Sequence, residues 1–337
     1  MSSEEKLAIV GAGAIGSLVG GILARAGKDI KLIGRKKHMA VVNENGLTIN
    51  GVAGDFNVRV KTAEQLDFKP DIILIAVKTQ DVEQICQEIK SIDSDIPILM
   101  MQNGIRSADM AASILGKRYL ISCILLLNAR FLQPGVVNYV NRRPIVIGEA
   151  FKTNSLKTKW IKNILDHVSD TFISNNIRGA QWTKLVINAM SNSIDAMTGL
   201  TLGEYVKRDE IRRVAVEILK EALRVVDSAG IKLESLPGIP ISIFKVMIGL
   251  PTPMAALLLR YMMRSKGNSD IMTSTLQSIR MGQKTEIDYI NGEFVKLGER
   301  LGIRTPFNAK AVELIQQIEE SKVFLSPEQL KTHFSFI

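Results

Sequence analysis

The sequence predicts an α/β protein in two parts, a doubly wound sheet followed by an all-α domain. Three observations carry that reading. Short apolar runs alternate with helical patterns through the first half, a glycine-rich turn joins the first run to the first helix, and from Arg178 onward helical periodicity dominates. Continuous apolar strands bounded by helices imply a parallel sheet covered on both faces. At 337 residues and 46% apolar composition the chain can build two cores, since single cores seldom grow past ~250–300 residues.

Taken in order, Leu7-Ala8-Ile9-Val10 reads as a buried strand, and Gly11-Ala12-Gly13-Ala14-Ile15-Gly16 follows at once. A helix from Ala14 to about Ala26 is stopped by Gly27 in C-cap position. The next strand is Ile30 to Ile33, with short strands at Leu47 to Ile49 and Phe56 to Val60. Pro70-Asp71 introduces the strand Ile72 to Val77. A helix from Val82 to Ile89, a strand Ile98 to Met101, a helix Ser107 to Leu115 and a strand Leu120 to Leu126 come after it. Val136 to Val140 and Pro144 to Ile147, separated by Asn141-Arg142-Arg143, read as a hairpin. A helix from Ser155 to His167 and an edge strand from Thr171 to Ile177 close this part, which places the boundary between residues 1–177 and 178–337. Beyond it the predicted helices are Arg178 to Ala196, Asp209 to Ala229, Ile271 to Leu301 and Asn308 to Ile318. Between them lies the apolar segment Ile239 to Met263, broken by Pro240, Pro251 and Pro253. It reads as a buried or cleft-covering helical pair. No Gly/Ser-rich linker marks the boundary, so two domains packed across a cleft are expected, with long helices available for a homodimer.

Each fingerprint glycine has a physical job. Gly11 makes the tight turn, Gly13 lets backbone approach a pyrophosphate, and Gly16 lets the helix pack close to the strand. The pyrophosphate would sit on the helix N-terminus, where unpaired N–H groups and the helix dipole favour an anion. This strand–turn–helix context identifies a Rossmann-type dinucleotide site. An NAD site usually ends its second strand in Asp or Glu, but here Gly34 is followed by Arg35-Lys36-Lys37 and no carboxylate comes before Glu44. A planar guanidinium at that point suits a 2′-phosphate, so NADPH/NADP+ is the expected cofactor, although a solvated basic turn would read the same way.

The net charge of +9 does not point to nucleic acid, because the cations are scattered and no groove-reading motif is present. Anionic small ligands account for it. Cys86 and Cys123 lack metal-ligand spacing, so no metal is expected, and buried thiols in a reducing compartment are the natural reading. The polar start leading straight into a core strand is unlike a signal peptide, and no apolar run approaches the ~20 residues that span a bilayer. A cytoplasmic protein with no membrane contact is expected.

Ligands of such sheets lie beyond the carboxyl ends of the strands. The strand from Ile72 finishes in Lys78-Thr79, and the strand from Ile98 in Gln102-Asn103-Gly104. Lys78 at that edge suggests an anionic or carbonyl-bearing ligand, with a surface lysine as the alternative; Asn103 could also serve a common Asn-Gly turn. In the helix that opens the second part, Lys184, Asn188 and Asn192 recur every four residues and share one face. Asparagine is a poor helix former, so two on one stripe imply that they bond something. Lys184 has no carboxylate at helical spacing on that face. In a closed cleft its pKa would fall and it could donate a proton; otherwise it is an ordinary solvated lysine. Ser274 and Glu286, twelve residues apart, would stand ~120° apart on one ideal helix, so spacing alone does not join them.

These motifs together resemble the ketopantoate reductase (2-dehydropantoate 2-reductase) family over nearly the whole chain. The likeness rests on Gly11 to Gly16, Arg35, Val77-Lys78-Thr79, Gln102-Asn103-Gly104, Trp182-Thr183-Lys184-Leu185 with Asn188 and Asn192, and Thr285-Glu286-Ile287-Asp288-Tyr289-Ile290-Asn291-Gly292. The resemblance implies NADPH-dependent reduction of 2-dehydropantoate to pantoate, a step toward pantothenate and coenzyme A. It also implies roles: Lys184 as general acid on the ketone oxygen, Glu286 as the carboxylate assisting binding and turnover, and Asn188, Asn192 and Ser274 as contacts to a small 2-oxo acid. Lys78 and Asn103 would lie at the nicotinamide, and Arg35 at the 2′-phosphate. Three departures stand out. Family members often carry an asparagine where this chain has Ile271 and an aspartate where it has Ser278, and the segment from Gly230 to Ser274 is longer and more apolar. A relative reducing another 2-oxo acid or an imine, or a non-catalytic NADP(H) sensor, are the competing readings; retention of Lys184 and Glu286 argues against the sensor.

Overall fold

A computed structural model of the chain describes residues 5–263 and 272–335. The chain divides into two compact units, the first ending at Arg178 and the second beginning at Gly179.

The first unit runs β1 (Lys6–Val10), α1 (Ala14–Arg25), β2 (Asp29–Ile33), α2 (Lys36–Asn45), β3 (Leu47–Gly51), β4 (Phe56–Val58), β5 (Lys61–Ala63), β6 (Ile72–Ile75), α3 (Val82–Glu88), β7 (Ile98–Met100), α4 (Ser107–Leu115), β8 (Leu120–Leu125), β9 (Asn128–Gln133), β10 (Val136–Asn141), β11 (Ile145–Glu149), α5 (Leu156–Leu165) and β12 (Thr171–Ile173). The main sheet has the order β12-β11-β8-β7-β6-β1-β2-β5. It is parallel except where β11 meets β8. Alternation along each strand builds two separate cores. Leu7, Ile9, Ile72, Leu74 and Leu99 join Leu18 and Leu23 of α1 and Ile161 and Ile164 of α5. Ala8, Val10, Ile73, Ile75 and Ile98 join Val82 and Cys86 of α3 and Ala111 and Leu115 of α4. Because side chains point to opposite faces with period two, strands buried on both faces must read as continuous apolar runs.

The hairpin expected over Val136 to Ile147 is not formed. β10 belongs to a second, four-stranded sheet of order β4-β3-β10-β9, whereas β11 lies in the main sheet against β8. The hairpin partner of β10 is β9, joined through Pro134-Gly135 with Gly135 at φ 79°. Asn141-Arg142-Arg143 therefore carries the chain from one sheet to the other rather than turning it back.

The second unit contains α6 (Ile177–Thr198), which starts in the first, then α7 (Leu202–Tyr205), α8 (Asp209–Ser228), α9 (Ser242–Gly249), α10 (Thr252–Met262), α11 (Ser274–Arg280), α12 (Asn291–Leu301), α13 (Pro306–Ser321) and α14 (Pro327–Phe334). Helices α10, α12, α13 and α14 all pack on α8. A buried polar chain ties this bundle together. Glu221 of α8 accepts from the amides of Phe307 and Asn308 at the start of α13 (3.0 and 2.8 Å), and the Asn291 amide side chain donates to Asn308 Oδ1 and to the Ala189 carbonyl of α6, each at 3.0 Å. The single helix expected from Ile271 to Leu301 is broken: α11 ends at Arg280, Gly282 adopts φ 66°, and a 3-10 turn at Ile287–Tyr289 precedes α12. The proline-broken segment resolves into α9 and α10. Val246, Ile248, Met254, Leu257 and Tyr261 are exposed there, so only part of the pair is buried.

Candidate active site

In the first unit the chain turns back beside β1, with β2 on one side and β6 on the other, which makes the β1/β6 boundary a topological switch point. The fingerprint loop fills the carboxyl end of that boundary. The amides of Gly11 and Ala12 both donate to the Ile33 carbonyl at the end of β2, at 2.9 and 3.1 Å. Gly11 has φ 104°, and a Cβ on it would lie 2.6 Å from the Val77 nitrogen just past β6, so glycine is required for both conformation and approach. A Cβ on Gly16 would lie 2.1 Å from the Gly11 carbonyl oxygen, whereas one on Gly13 would meet nothing within 4 Å. The open side of the loop is thus at Gly13, the residue that precedes α1. No acidic residue occupies the first turn of α1 or of α2, and Arg35, directly before α2, is exposed together with Lys36 and Lys37. Two helix N-termini and three cations therefore stand at the ends of two adjacent parallel strands, a donor set suited to a pyrophosphate and a further phosphate. The residues present fit a phosphorylated dinucleotide.

The next two strand ends are stitched together. The Gln102 side chain donates to the carbonyls of Ile75 and Val77 at 2.8 and 3.1 Å, and the Thr79 hydroxyl donates to the Asn103 carbonyl at 3.3 Å. Half-buried Lys78 and Asn103 are brought to neighbouring strand ends by these bonds. Buried Gln102 has a holding function that its motif alone did not disclose.

A contact from α2 supports the loop from behind. His38 is buried, Gly135 N–H donates to its Nδ1 at 3.0 Å, and its Nε2 lies 3.0 Å from Ser17 Oγ on α1. Because Nδ1 is the acceptor, Nε2 carries the proton and donates to the hydroxyl. Burial pushes the His38 pKa down, which keeps the ring neutral.

In the second unit α6 is buried along most of its length. Between Trp182 and Thr198 the half-buried positions are Lys184, Ile187, Asn188 and Ser191, one stripe of the helix. Asn192, at the margin of that stripe, is buried and donates to Thr275 Oγ1 on α11 at 3.3 Å. Ser274, the first residue of α11, is exposed. Half-buried Glu286 lies on the connection into α12, which is anchored to α6 by the Asn291 bond to Ala189 and by a T-shaped contact between Trp182 and Phe294 at 5.6 Å. The break at Gly282 puts Ser274 and Glu286 on separate segments, so an angle measured on one ideal helix does not apply to them. The structure gathers Asn192 and the start of α11 directly, and it brings the Glu286 connection to the same helix through Asn291. Of the two residue departures from the family pattern, Ser278 is buried in α11 and Ile271 lies outside the described residues.

Sequence reasoning missed Asp195 and Thr273. Asp195 is 1% exposed and accepts from both the amide and the hydroxyl of Thr273, each at 2.8 Å. The available signal was a carboxylate set inside the apolar run Ile194-Asp195-Ala196-Met197.

The doubly wound sheet, its glycine turn and the basic second strand end define the class: a dinucleotide-dependent oxidoreductase with a helical second unit. Comparison with known proteins makes this specific. The family model described as ketopantoate reductase PanE/ApbA matches residues 7–151, and the model of its C-terminal part matches residues 176–319. The chain belongs to the ketopantoate reductase PanE/ApbA family. It is 30% identical over 307 residues to the 2-dehydropantoate 2-reductase of Pyrococcus horikoshii, covering 90% of this chain and 94% of that protein. Its identity to the Pyrococcus abyssi enzyme of the same name is 31% over 308 residues, again covering 90% and 94%. Among solved structures, a PanE/ApbA family ketopantoate reductase from Ralstonia eutropha superposes with TM-score 0.78 at 27% identity, over 94% of this chain and 99% of that one. D-mandelate dehydrogenase bound to NADH and anilino(oxo)acetate shares the fold, with TM-score 0.79 at 22% identity over 94% and 99% of the two chains.

Proposed function

We propose that this chain reduces 2-dehydropantoate to pantoate with NADPH, a step toward pantothenate and coenzyme A. The observation that carries the reading is the Lys184–Asn188 stripe, half-buried on an otherwise buried helix of a chain belonging to the ketopantoate reductase family. In this reading the amides at the start of α1 and the open face of Gly13 hold the pyrophosphate, Arg35 pairs with the 2′-phosphate, and Lys78 and Asn103 line the nicotinamide edge. When bound, NADPH supplies the hydride that reduces the carbonyl carbon. Lys184 donates a proton to the ketone oxygen and stabilises the negative charge that develops there. Asn188 and Asn192 orient the substrate by hydrogen bonds, Ser274 adds a hydroxyl, and Glu286 assists binding and turnover. The reaction balances as one hydride to carbon and one proton to oxygen.

The test is NADPH oxidation followed optically with 2-dehydropantoate and a panel of other 2-oxo acids. The expected result ranks 2-dehydropantoate first by kcat/KM. A flat response to it beside turnover of another acid overturns the substrate assignment.

The same reading extends to cellular context. Among the described residues no helix is long and apolar enough to cross a membrane, and the two cysteines are buried thiols, suited to a reducing cytoplasm. The exposed apolar face of α9 and α10 supports a homodimer. A light-scattering mass of a single chain at micromolar concentration would remove that part.

A further inference from the structure

We infer that Asp195 is a positioning residue for the substrate half of the site, a buried carboxylate on α6 that clamps the first turn of α11 and thereby fixes Ser274. The inference rests on the proposed role of Ser274 and deepens it. Three consecutive residues at the start of α11 have three different fates. Thr273 is gripped at both its amide and its hydroxyl by the two oxygens of Asp195, at 2.8 Å each. Ser274 is exposed. Thr275 is buried and receives the bond from Asn192, one turn before Asp195 on the same helix. Helix α6 therefore holds the residues on both sides of Ser274 and leaves Ser274 itself to face outward.

A carboxylate is the right group for this grip. Thr273 presents two donors, and the two oxygens of Asp195 accept one each. An asparagine of the same shape would turn an NH2 donor toward one of them. The surroundings explain why the grip must be strong. Asp195 lies among Ile194, Ala196 and Met197, each 0% exposed, and burial pushes its carboxyl pKa up to about 8. Against this, the Thr273 bonds, the Ala196 amide and the field of Arg280 on α11 favour the ionised form. From α7, the Tyr205 phenol is fully buried, and Asp195 helps to hold it neutral. Hydrogen bonds in a dry setting are electrostatically stronger than in water, so the first turn of α11, held at two points, has little freedom while they persist.

The experiment compares Asp195→Asn, Thr273→Val and Thr273→Ser with the unmodified chain. KM and kcat are read for 2-dehydropantoate, NADPH affinity by fluorescence titration, and amide hydrogen exchange over residues 274–280. Asp195→Asn and Thr273→Val are expected to raise KM about tenfold, leave kcat within about threefold and NADPH affinity unchanged, and speed exchange in α11. Thr273→Ser keeps the donor and should restore both KM and exchange. Unchanged KM and exchange in Thr273→Val overturns the clamp, as does an equal loss of kcat and NADPH affinity, which would mark general structural damage. Should Asp195→Asn fail to fold, the Thr273 pair decides alone. Exchange needs no substrate, and the unmodified chain's own turnover of 2-dehydropantoate tests the functional reading separately.

Discussion

Gly13 and Gly16, on either side of the start of α1, differ in what a methyl group would meet, and that difference separates ligand space from packing space. In Gly16→Ala the new Cβ would lie 2.1 Å from the Gly11 carbonyl oxygen, a backbone atom that cannot swing aside as a side chain would. Forcing such a contact costs about 1–3 kcal/mol. In a unit ending at Arg178 this lowers the melting temperature by about 2–12 °C, at ~2–4 °C per kcal/mol. In Gly13→Ala the methyl meets nothing within 4 Å, and the residue already has φ −82°. Stability should hold or rise by about 0.4–1 kcal/mol, because the unfolded chain loses freedom. The empty volume beside Gly13 is, in our reading, where the pyrophosphate approaches. The same methyl should then weaken NADPH binding at least about tenfold, or ~1.4 kcal/mol. Thermal unfolding without ligand and fluorescence titration with NADPH measure the two effects on the same samples. The reasoning is refuted if Gly13→Ala binds NADPH as tightly as the unmodified chain, or loses as much thermal stability as Gly16→Ala.

Other expectations follow from the same geometry. Arg35→Ala should weaken NADPH roughly 10–100-fold, the loss of a charge-assisted pair, and leave NADH nearly unchanged; equal losses for both cofactors in titration would contradict the 2′-phosphate role. Lys184→Ala should lower kcat roughly 10²–10⁴-fold with NADPH affinity intact, and unchanged turnover would remove it from the mechanism. Buried ionisable groups give the units opposite pH responses. His38 has a lowered folded pKa, so its contribution is present above its ordinary 6.5 and is lost as pH falls. The raised carboxyls of Asp195 and Glu221 favour the fold at low pH, and that contribution is lost as pH rises, through about 8 for Asp195. Denaturant unfolding between about pH 5 and 9 should therefore show His38→Gln gaining on the unmodified chain as pH falls, and Asp195→Asn gaining as pH rises; flat differences would disprove the assignments.

The sheet was legible because its two cores alternate residue by residue along the same strands, which leaves an unbroken apolar run that little else produces. Where the sequence misled, a local signal was outweighed by one of longer range. Asn141-Arg142-Arg143 has turn composition, but the true hairpin turn is Pro134-Gly135, and β10 is claimed instead by β3, far earlier in the chain. The break after α11 is invisible to periodicity because Leu276, Ile279, Ile287, Ile290, Phe294 and Leu297 are all buried and keep helix-like spacing on both sides of it. Only Gly282 marks where the backbone leaves the helix. At the site, Lys184, Asn188 and Asn192 could be read from one helix face. Asp195 showed only as a carboxylate within an apolar run, and its partner Thr273 lies 78 residues away.

Four helix N-termini make a contrast that bears on function. The start of α11 is served by Asp195 through Thr273, and that of α13 by Glu221 through the amides of Phe307 and Asn308. In both, the carboxyl oxygens of a buried side chain from a neighbouring helix accept the bonds that the helix end offers. The starts of α1 and α2 carry no acidic residue in their first turns, and the residues leading into them are Gly13, with open space around it, and Arg35, which is exposed. The ends of α11 and α13 are thus served from inside the protein, whereas those of α1 and α2, beside the exposed cations of Arg35-Lys36-Lys37, are open to anions from solution. Two such ends on adjacent strands are what a phosphorylated dinucleotide requires. On this argument the preference for NADPH comes from the two open helix ends and the three exposed cations together, and Arg35 is one element of it. Removing Arg35 alone should therefore reduce the preference without reversing it.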